Sequence, residues 1–577
     1  MIRGAFLAAS AMLLTAVPAP AQETLVLSDQ MLPRETFMYV SFPSVTQLKQ
    51  HLESSSLGKL WDDPALSDFK AEVTNAFESE LDEGLTRFQE EVGMTLPEFL
   101  QIPSGEVSFA ISAGPDNTMG AVIVLDFGRS EEQVMNLLTK AQGMLAGARR
   151  LEPATEEYDG TELNMYRVQY PGPAPTPLAE EFGWFIKDNR LVVSNRQELL
   201  ESVLANWSGE NESFMDNDAY AYVLGKCQLS ERSSLSTFFF DPVNLFTKLV
   251  QTGSLGQQAT LGAGMALGVM PALGINQLKA IGVVSQAGTG DFESVTRSVF
   301  YANQPPEGLM QVMQFDQIEP SPPEWVKDNV HAYAATRWKI DEAFSAIRSL
   351  VDMFSGAGAF EDQLNRMSQQ PPGIHIKDDI VDQLNGEMRL MTAAGDGEYG
   401  SDQVLIVLGV RDTQSASDVV TRLANQFNLQ SRDFRGASIY EFPGPQPGQG
   451  LALAVDNNRL LFCIGGSLLE QVLRNDSDMK PLAQSDAWQK IARHFPSNVV
   501  SVQFGRPAEQ YRPIYEMLRS GARPEQFPGS QEIFEKIDFS TLPPFEEVSK
   551  YIQPSGGYST QEENGLFMEA YQLKSAE

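Results

Sequence analysis

The sequence predicts an α+β protein of two similar lobes, each an antiparallel sheet with packed helices. Three observations predict it: short alternating or apolar runs come in pairs joined by tight polar turns, helical stretches separate those pairs, and one long pattern is written twice. The repeat is plainest in "NRLVVSNRQELLESVL", Asn189 to Leu204, and "NRLLFCIGGSLLEQVL", Asn458 to Leu473, where eight of sixteen positions agree without a gap.

The elements of the first lobe follow from periodicity. "TFMYVSF" from Thr36 is rich in aromatic and β-branched residues and reads as a strand, and Ser44 then caps a helix over "SVTQLKQHLES". "DPALSDFKAEVTNAFESELDEGLTRFQEEVG" is helical and charged, punctuated at Gly84. "EVSFAISAG" and "GAVIVLDFG" form a hairpin across Gly-Pro-Asp-Asn, followed by a helix at "SEEQVMNLLTKAQGML". Strands are expected at "ELNMYRVQY", "GWFIK" and "RLVVSN", the last two paired across a turn at Lys187 to Arg190. In the next helix Leu199, Leu200, Val203, Leu204 and Trp207 share one stripe, so the repeated "LLExVL" is the face that packs on the sheet.

Other segments recur in the same order. "GEVSFAISAG" from Gly105 matches "GEMRLMTAAG" from Gly386, "IVLDFGRS" from Ile123 matches "IVLGVRDT" from Ile406, and "YDG" ending at Gly160 matches "FRG" ending at Gly436. "YPGPAP" at Tyr170 is echoed by "FPGPQP" at Phe442, and "STFFFDPVNLFTKLVQTG" by "SVQFGRPAEQYRPIYEMLRSG". Colinearity predicts two copies of a unit of roughly 250 to 270 residues. The boundaries read as a leader over 1–21, a first lobe over 22–302, a proline-rich linker over 303–325 and a second lobe over 326–577, the linker set by Pro305, Pro306, Pro320, Pro322 and Pro323.

The leader, "MIRGAFLAASAMLLTAVPAPAQ", has one positive charge at Arg3, an apolar run from Ala5 to Val17 and a small-x-small site at Ala19 to Ala21. That order predicts export to the periplasm or the exterior, with cleavage before Gln22. No transmembrane span is expected in the mature chain. Without Arg3 the chain keeps 41 basic against 76 acidic side chains, a charge that repels phosphate backbones and argues against nucleic acid as a partner. The two cysteines, Cys227 and Cys463, are too few for a disulfide framework, and nothing in their neighbourhoods brings them together.

A search for chemistry finds no motif. His51, His331, His375 and His494 lack metal-ligand spacing, there is no Cys-x-x-Cys, and neither a nucleophile elbow nor a phosphate-binding loop occurs. "GAGMALG", Gly262 to Gly268, has the wrong glycine spacing for a dinucleotide fold, and "DNDAY" at Asp216 reads as a helix start and not a calcium loop. Leu57, Leu60 and Trp61 have the spacing of an apolar anchor, preferred to a sugar platform at Trp61. No cofactor or metal is expected, and the residues of any catalytic site stay unassigned.

The stretch "LPRETFMYVSFPSVTQLKQHLESSSLGKLWDDPALSDF", Leu32 to Phe69, resembles the start of a secreted bacterial family known only as a domain of unknown function. Its members open with L-P-x-x-T-x-x-Y-V-x-x-P-x-x-x-x-L and an LGKLxxDPAL-like turn. Leu32, Pro33, Thr36, Tyr39, Val40, Pro43, Leu48, Leu57 to Leu60 and Asp63 to Leu66 carry the match. The resemblance implies export and this fold, and it transfers no activity or site.

The function expected is that of an exported, non-enzymatic binding or scaffold protein whose partner is an extracytoplasmic protein, a glycan or an apolar ligand. A carboxylate-dependent hydrolase and an apolar-ligand carrier are the alternatives. The candidate contact surface is Leu261, Met265, Leu267 and Met270, in an uncharged stretch between Lys248 and Lys279 expected to be a buried or groove-lining helix ahead of a membrane contact, together with Trp184. Trp184 and Phe185 are consecutive in a strand, which implies a helix layer or a contact surface on the second face.

Overall fold

In a computed structural model the chain is α+β, with antiparallel sheets and many packed helices. The structure describes residues 26–575 except 77, 116–117, 149, 171–179, 229–233, 256, 396–402, 443, 445–449, 466, 475–477, 523–533 and 535. The leader and its cleavage site lie outside the described residues, as do most of both Pro-Gly-Pro segments. Among the described residues no helix is long and apolar enough to cross a membrane.

The chain divides into two compact units. The first comprises the chain up to Met270 with Leu278–Ala287 and Thr296–Ala302; the second comprises Pro271–Gln277, Gly288–Val295 and Asn303–Glu577. The expected linker 303–325 therefore belongs to the second unit, where Phe315 and Asp316 pair with Trp338 and Arg337 and the Ile318 amide donates to the Val499 carbonyl. Proline blocks a ladder only where the ladder needs a backbone N–H at that position, so a proline-rich segment can still lie against an edge.

In the first unit the strands are β1 (Thr36–Phe42), β2 (Val107–Ala113), β3 (Met119–Asp126), β4 (Leu151–Tyr158), β5 (Thr161–Val168), β6 (Glu181–Lys187), β7 (Arg190–Ser194), β8 (Ser234–Phe240) and β9 (Leu278–Ala287). They pair antiparallel in the order β4-β5-β6-β7-β3-β2-β1-β8-β9. The strand β10 (Phe292–Ala302) has residues in both units.

The second unit holds β11 (Phe315–Asp316), β12 (Val330–Trp338), β13 (Leu384–Ala393), β14 (Gln403–Val410), β15 (Gln430–Phe434), β16 (Ala437–Phe442), β17 (Leu451–Asp456), β18 (Arg459–Ile464), β19 (Val499–Gly505), β20 (Ser555–Glu562) and β21 (Gly565–Leu573). Its order is β15-β16-β17-β18-β14-β13-β12-β19-β20-β21, again antiparallel. From the polar edge inward, the two sheets run through the same succession of strands.

The registers agree as well. Ser194 faces Val122 and Gly183 in the first sheet, and Cys463 faces Leu405 and Ala452 in the second. Tyr39 lies between Ala110 and Phe239, and Tyr333 between Met391 and Phe504. The turns agree in conformation: Asp188 and Asn189 have φ of 49° and 59°, and Asn457 and Asn458 have 46° and 59°, the left-handed pair of a two-residue hairpin that short amide and acid side chains tolerate.

The first unit includes the helices α1 (Gln197–Ala205), α2 (Asp218–Cys227) and α3 (Gln257–Val269). In α1 the stripe Leu199, Leu200, Val203 and Leu204 is buried, and in the second unit Leu468, Leu469 and Val472 of the helix Ser467–Arg474 are buried likewise. Each such side chain contributes about 1.5–3 kcal/mol of hydrophobic stabilisation. The helix α2 starts at Asn217, whose side chain accepts from the amides of Ala219 and Tyr220, as "DNDAY" leads one to expect. Gly84, expected as a break, lies within the helix Glu78–Val92 instead; space around it is open, so its cost is only the weak helix propensity of glycine.

Candidate functional site

Of the expected contact residues, Leu261, Met265, Leu267 and Met270 lie on or just after α3, and Trp184 lies on β6. Leu261 and Met265 on α3 are 75% and 77% exposed, and a Cβ added at Gly262, Gly264 or Gly268 would meet nothing within 4 Å, so of the expected buried or groove-lining helix the buried alternative fails. An uncharged sequence spaced by Gly262, Gly264 and Gly268 has no segregated apolar stripe to bury. Leu267 and Met270 are half-buried. Trp184 is only 6% exposed and stacks on Tyr166 at 5.5 Å, while Phe185 on the opposite side of β6 is buried against Trp207. Both sheet faces are covered there, which removes Trp184 from any contact surface. Leu57 and Trp61 are exposed and form no anchor; Lys70 lies over the Trp61 ring at 5.1 Å.

The polar chemistry of the fold gathers elsewhere, at one sheet position present in both units. In the first unit Glu106, just before β2, is 2% exposed. Its carboxylate accepts from the Ser28 amide at 2.8 Å, the Ser28 hydroxyl at 2.5 Å, the Ser41 hydroxyl at 2.9 Å and the Tyr39 hydroxyl at 3.2 Å. Alternation places Tyr39, Ser41, Glu106 and Ser108 on one face, since Ser41 pairs with Ser108 and Tyr39 with Ala110. Gly105 precedes the glutamate because a side chain there would strike Asp126: an added Cβ would lie 2.2 Å from its Oδ2.

Asp29, beside Ser28 in a short 3-10 turn over this face, is 8% exposed and accepts from the Tyr220 hydroxyl at 3.0 Å. Burial, then the Glu106 charge, raises its pKa to about 6, against the Tyr220 hydrogen bond. Burial likewise pushes the Tyr39 and Tyr220 phenols well above their usual value. Tyr220 stacks on Phe214 at 3.9 Å, and Tyr39 meets both rings edge-on. The arrangement ties the start of the described chain to the sheet through two buried acids walled in by aromatic rings.

In the second unit the corresponding glutamate, Glu387, lines a cavity of about 260 Å³. Arg337 Nη2 donates to its Oε1 at 2.7 Å and Arg389 Nη1 to its Oε2 at 3.0 Å. Tyr333 keeps the place of Tyr39, and Ala335 pairs with Arg389 where Ser41 pairs with Ser108. Guanidinium groups thus surround the glutamate where the first unit has neutral hydroxyl donors. Burial raises the Tyr333 phenol to about 12, with the Arg389 guanidinium pulling the other way. Arg389 and Arg459 both lie over the Trp325 ring, at 6.0 and 5.0 Å. Gln317, Glu319, Thr336 and Ser497 complete the polar lining.

Sequence reasoning alone does not find these residues. "GEVSF" and "GEMRL" stand out in it only as repeated strands, and the glutamate that opens each is the shared feature of the two sites. Both cysteines are buried thiols, Cys227 on α2 and Cys463 on β18. Among the described residues no group of three or more His, Cys, Asp or Glu could hold a metal ion. No family model, curated protein or solved structure matches this chain.

Proposed function

We propose that the chain is an exported, non-enzymatic binding protein made of two copies of one α+β unit, in which the second unit carries the ligand cavity. The observation that carries this reading is the pair Glu106 and Glu387: one sheet position, filled by the chain's own Ser28 in the first unit and facing a cavity in the second. Duplication followed by specialisation of one copy accounts for the shared strand order, the shared registers and the difference between the two sites. The leader and the likeness of Leu32 to Phe69 to a secreted family support export.

The hydrolase alternative would draw on Asp29 and Glu106, the pair of buried acids in the first site. Their burial under Ser28 and the aromatic rings suits anchoring and leaves substrate no approach. A carrier of apolar ligands would need an apolar cavity, and this one is lined by Arg337, Glu387 and Arg389. The test is native mass spectrometry of the full exported chain, run beside a screen of glycoside, ester and peptide substrates. Stoichiometric retention of a small molecule without its conversion supports the proposal. Sustained turnover that a single acidic substitution abolishes overturns it.

A further inference from the structure

Resting on that reading of the second unit, we infer that its cavity binds a small molecule through a carboxylate group, with Glu387 as the built-in occupant that the ligand's carboxylate competes against. The geometry of the glutamate supports this directly. Its two oxygens are divided between two guanidinium groups, Oε1 to Arg337 at 2.7 Å and Oε2 to Arg389 at 3.0 Å, so the arginines are spaced for a planar group with two oxygens. Each guanidinium carries five N–H donors, of which Glu387 takes one from each. The Nε of Arg337 and the Nε of Arg389 are buried and find no acceptor among the described residues. Buried donors without partners are rare in folded proteins and mark places where a further acceptor is needed.

Charge points the same way. Two fixed guanidinium groups face one fixed carboxylate, and the remaining acid of the lining, Glu319, is exposed. In a chain with a formal charge of -34 the two guanidinium groups offset both acids of the lining, so this cavity carries no net negative charge. The first unit supplies an internal comparison. There the same face satisfies Glu106 with Ser28, Ser41 and Tyr39, all neutral donors. Replacement of Ser108 by Arg389 and of Ser41 by Ala335 in the second unit exchanges a closed neutral ring for a cationic wall and frees the volume of a hydroxyl.

The experiment titrates the full chain with succinate and with inorganic phosphate by isothermal titration calorimetry at low ionic strength. Succinate is expected to bind at one site. Arg389→Gln and Arg337→Gln each weaken it at least about tenfold, and Glu387→Gln tightens it about tenfold by removing the competing charge while keeping one acceptor for the arginines. Glu319→Gln, at an exposed position, tightens it about twofold. Phosphate bound in place of succinate overturns the carboxylate assignment. So does succinate binding that the arginine variants leave unchanged, or that Glu387→Gln weakens in a protein with an unchanged melting temperature. A different retained ligand, found by mass spectrometry while succinate fails to bind, overturns this inference and leaves the binding reading standing; substrate turnover removes the binding reading itself.

Discussion

Glu106 and Glu387 stand at the same place in their sheets. Each immediately precedes the residue that pairs with the two neighbouring strands, Val107 with Phe42 and Leu125 in one unit, Met388 with Thr336 and Leu408 in the other. Their surroundings differ in kind: one is held by hydroxyls and an amide inside the core, the other by two guanidinium groups at a cavity. The two units should therefore respond differently when these positions are changed.

Glu106→Ala leaves the Ser28 amide and the hydroxyls of Ser28, Ser41 and Tyr39 without their acceptor in a buried site. The loss of stability should be roughly 3 kcal/mol or more, since orphaned buried donors cost more than the bonds they made. Urea unfolding measures it, and limited proteolysis should cut near Ser28 in the variant before the parent.

Asp29 makes stability depend on pH in a definite direction. Its folded pKa of about 6 lies above the ordinary 3.8, so the folded state holds the proton more tightly than the unfolded state. This contribution is fully present below about 3.8, declines as pH rises toward about 6, and is gone above that, where an ionised acid is buried. Asp29→Asn should therefore stabilise the chain at pH 8, by on the order of a few kcal/mol, and by much less at pH 4. Unfolding midpoints of parent and variant at the two values check the sign.

Neither thiol should react in the folded chain. Cys227 is buried, and desolvation raises its pKa to about 12; Cys463 is buried in β18 where the first unit has Ser194. A disulfide reagent at pH 8 should label none in the native protein and two after denaturation. Cys463→Ser should fold, because a small residue suffices between Leu405 and Ala452, whereas Cys463→Leu overpacks the strand at a cost of roughly 1–3 kcal/mol.

The hairpin turns at Asn189 and Asn458 should respond alike. Valine at either position must adopt a φ near 59°, which a β-branched residue resists, so each substitution costs roughly 1–2 kcal/mol. Chemical unfolding of the two single variants checks it.

Much of the architecture is legible in the sequence because it rests on local rules. Thr36–Phe42, the Ser44 cap and the buried stripe of α1 follow from residue type and period alone. The strand β4 does not: Leu151–Tyr158 contains Pro153, Glu152, Glu156 and Glu157 and pairs only with β5 among the described residues, so an edge position permits a composition that hides the strand. The exposure of α3 is equally hidden, because an apolar composition implies burial only when a neighbouring surface covers it. The two glutamate sites are not readable at all, since Ser28, Tyr39, Ser41 and Glu106, or Arg337, Glu387 and Arg389, meet only through the fold and its strand pairing.

One sheet position is sealed in the first unit and open in the second, and carbodiimide coupling of a neutral amine to the native chain tests this most directly. The side chain of Glu387 is 30% exposed, against a Glu106 that is buried. Peptide mass spectrometry should find Glu387 modified and Glu106 unmodified until the protein is unfolded. Modification of Glu106 in the native chain at a rate equal to or above that of Glu387 would contradict the difference between the two sites.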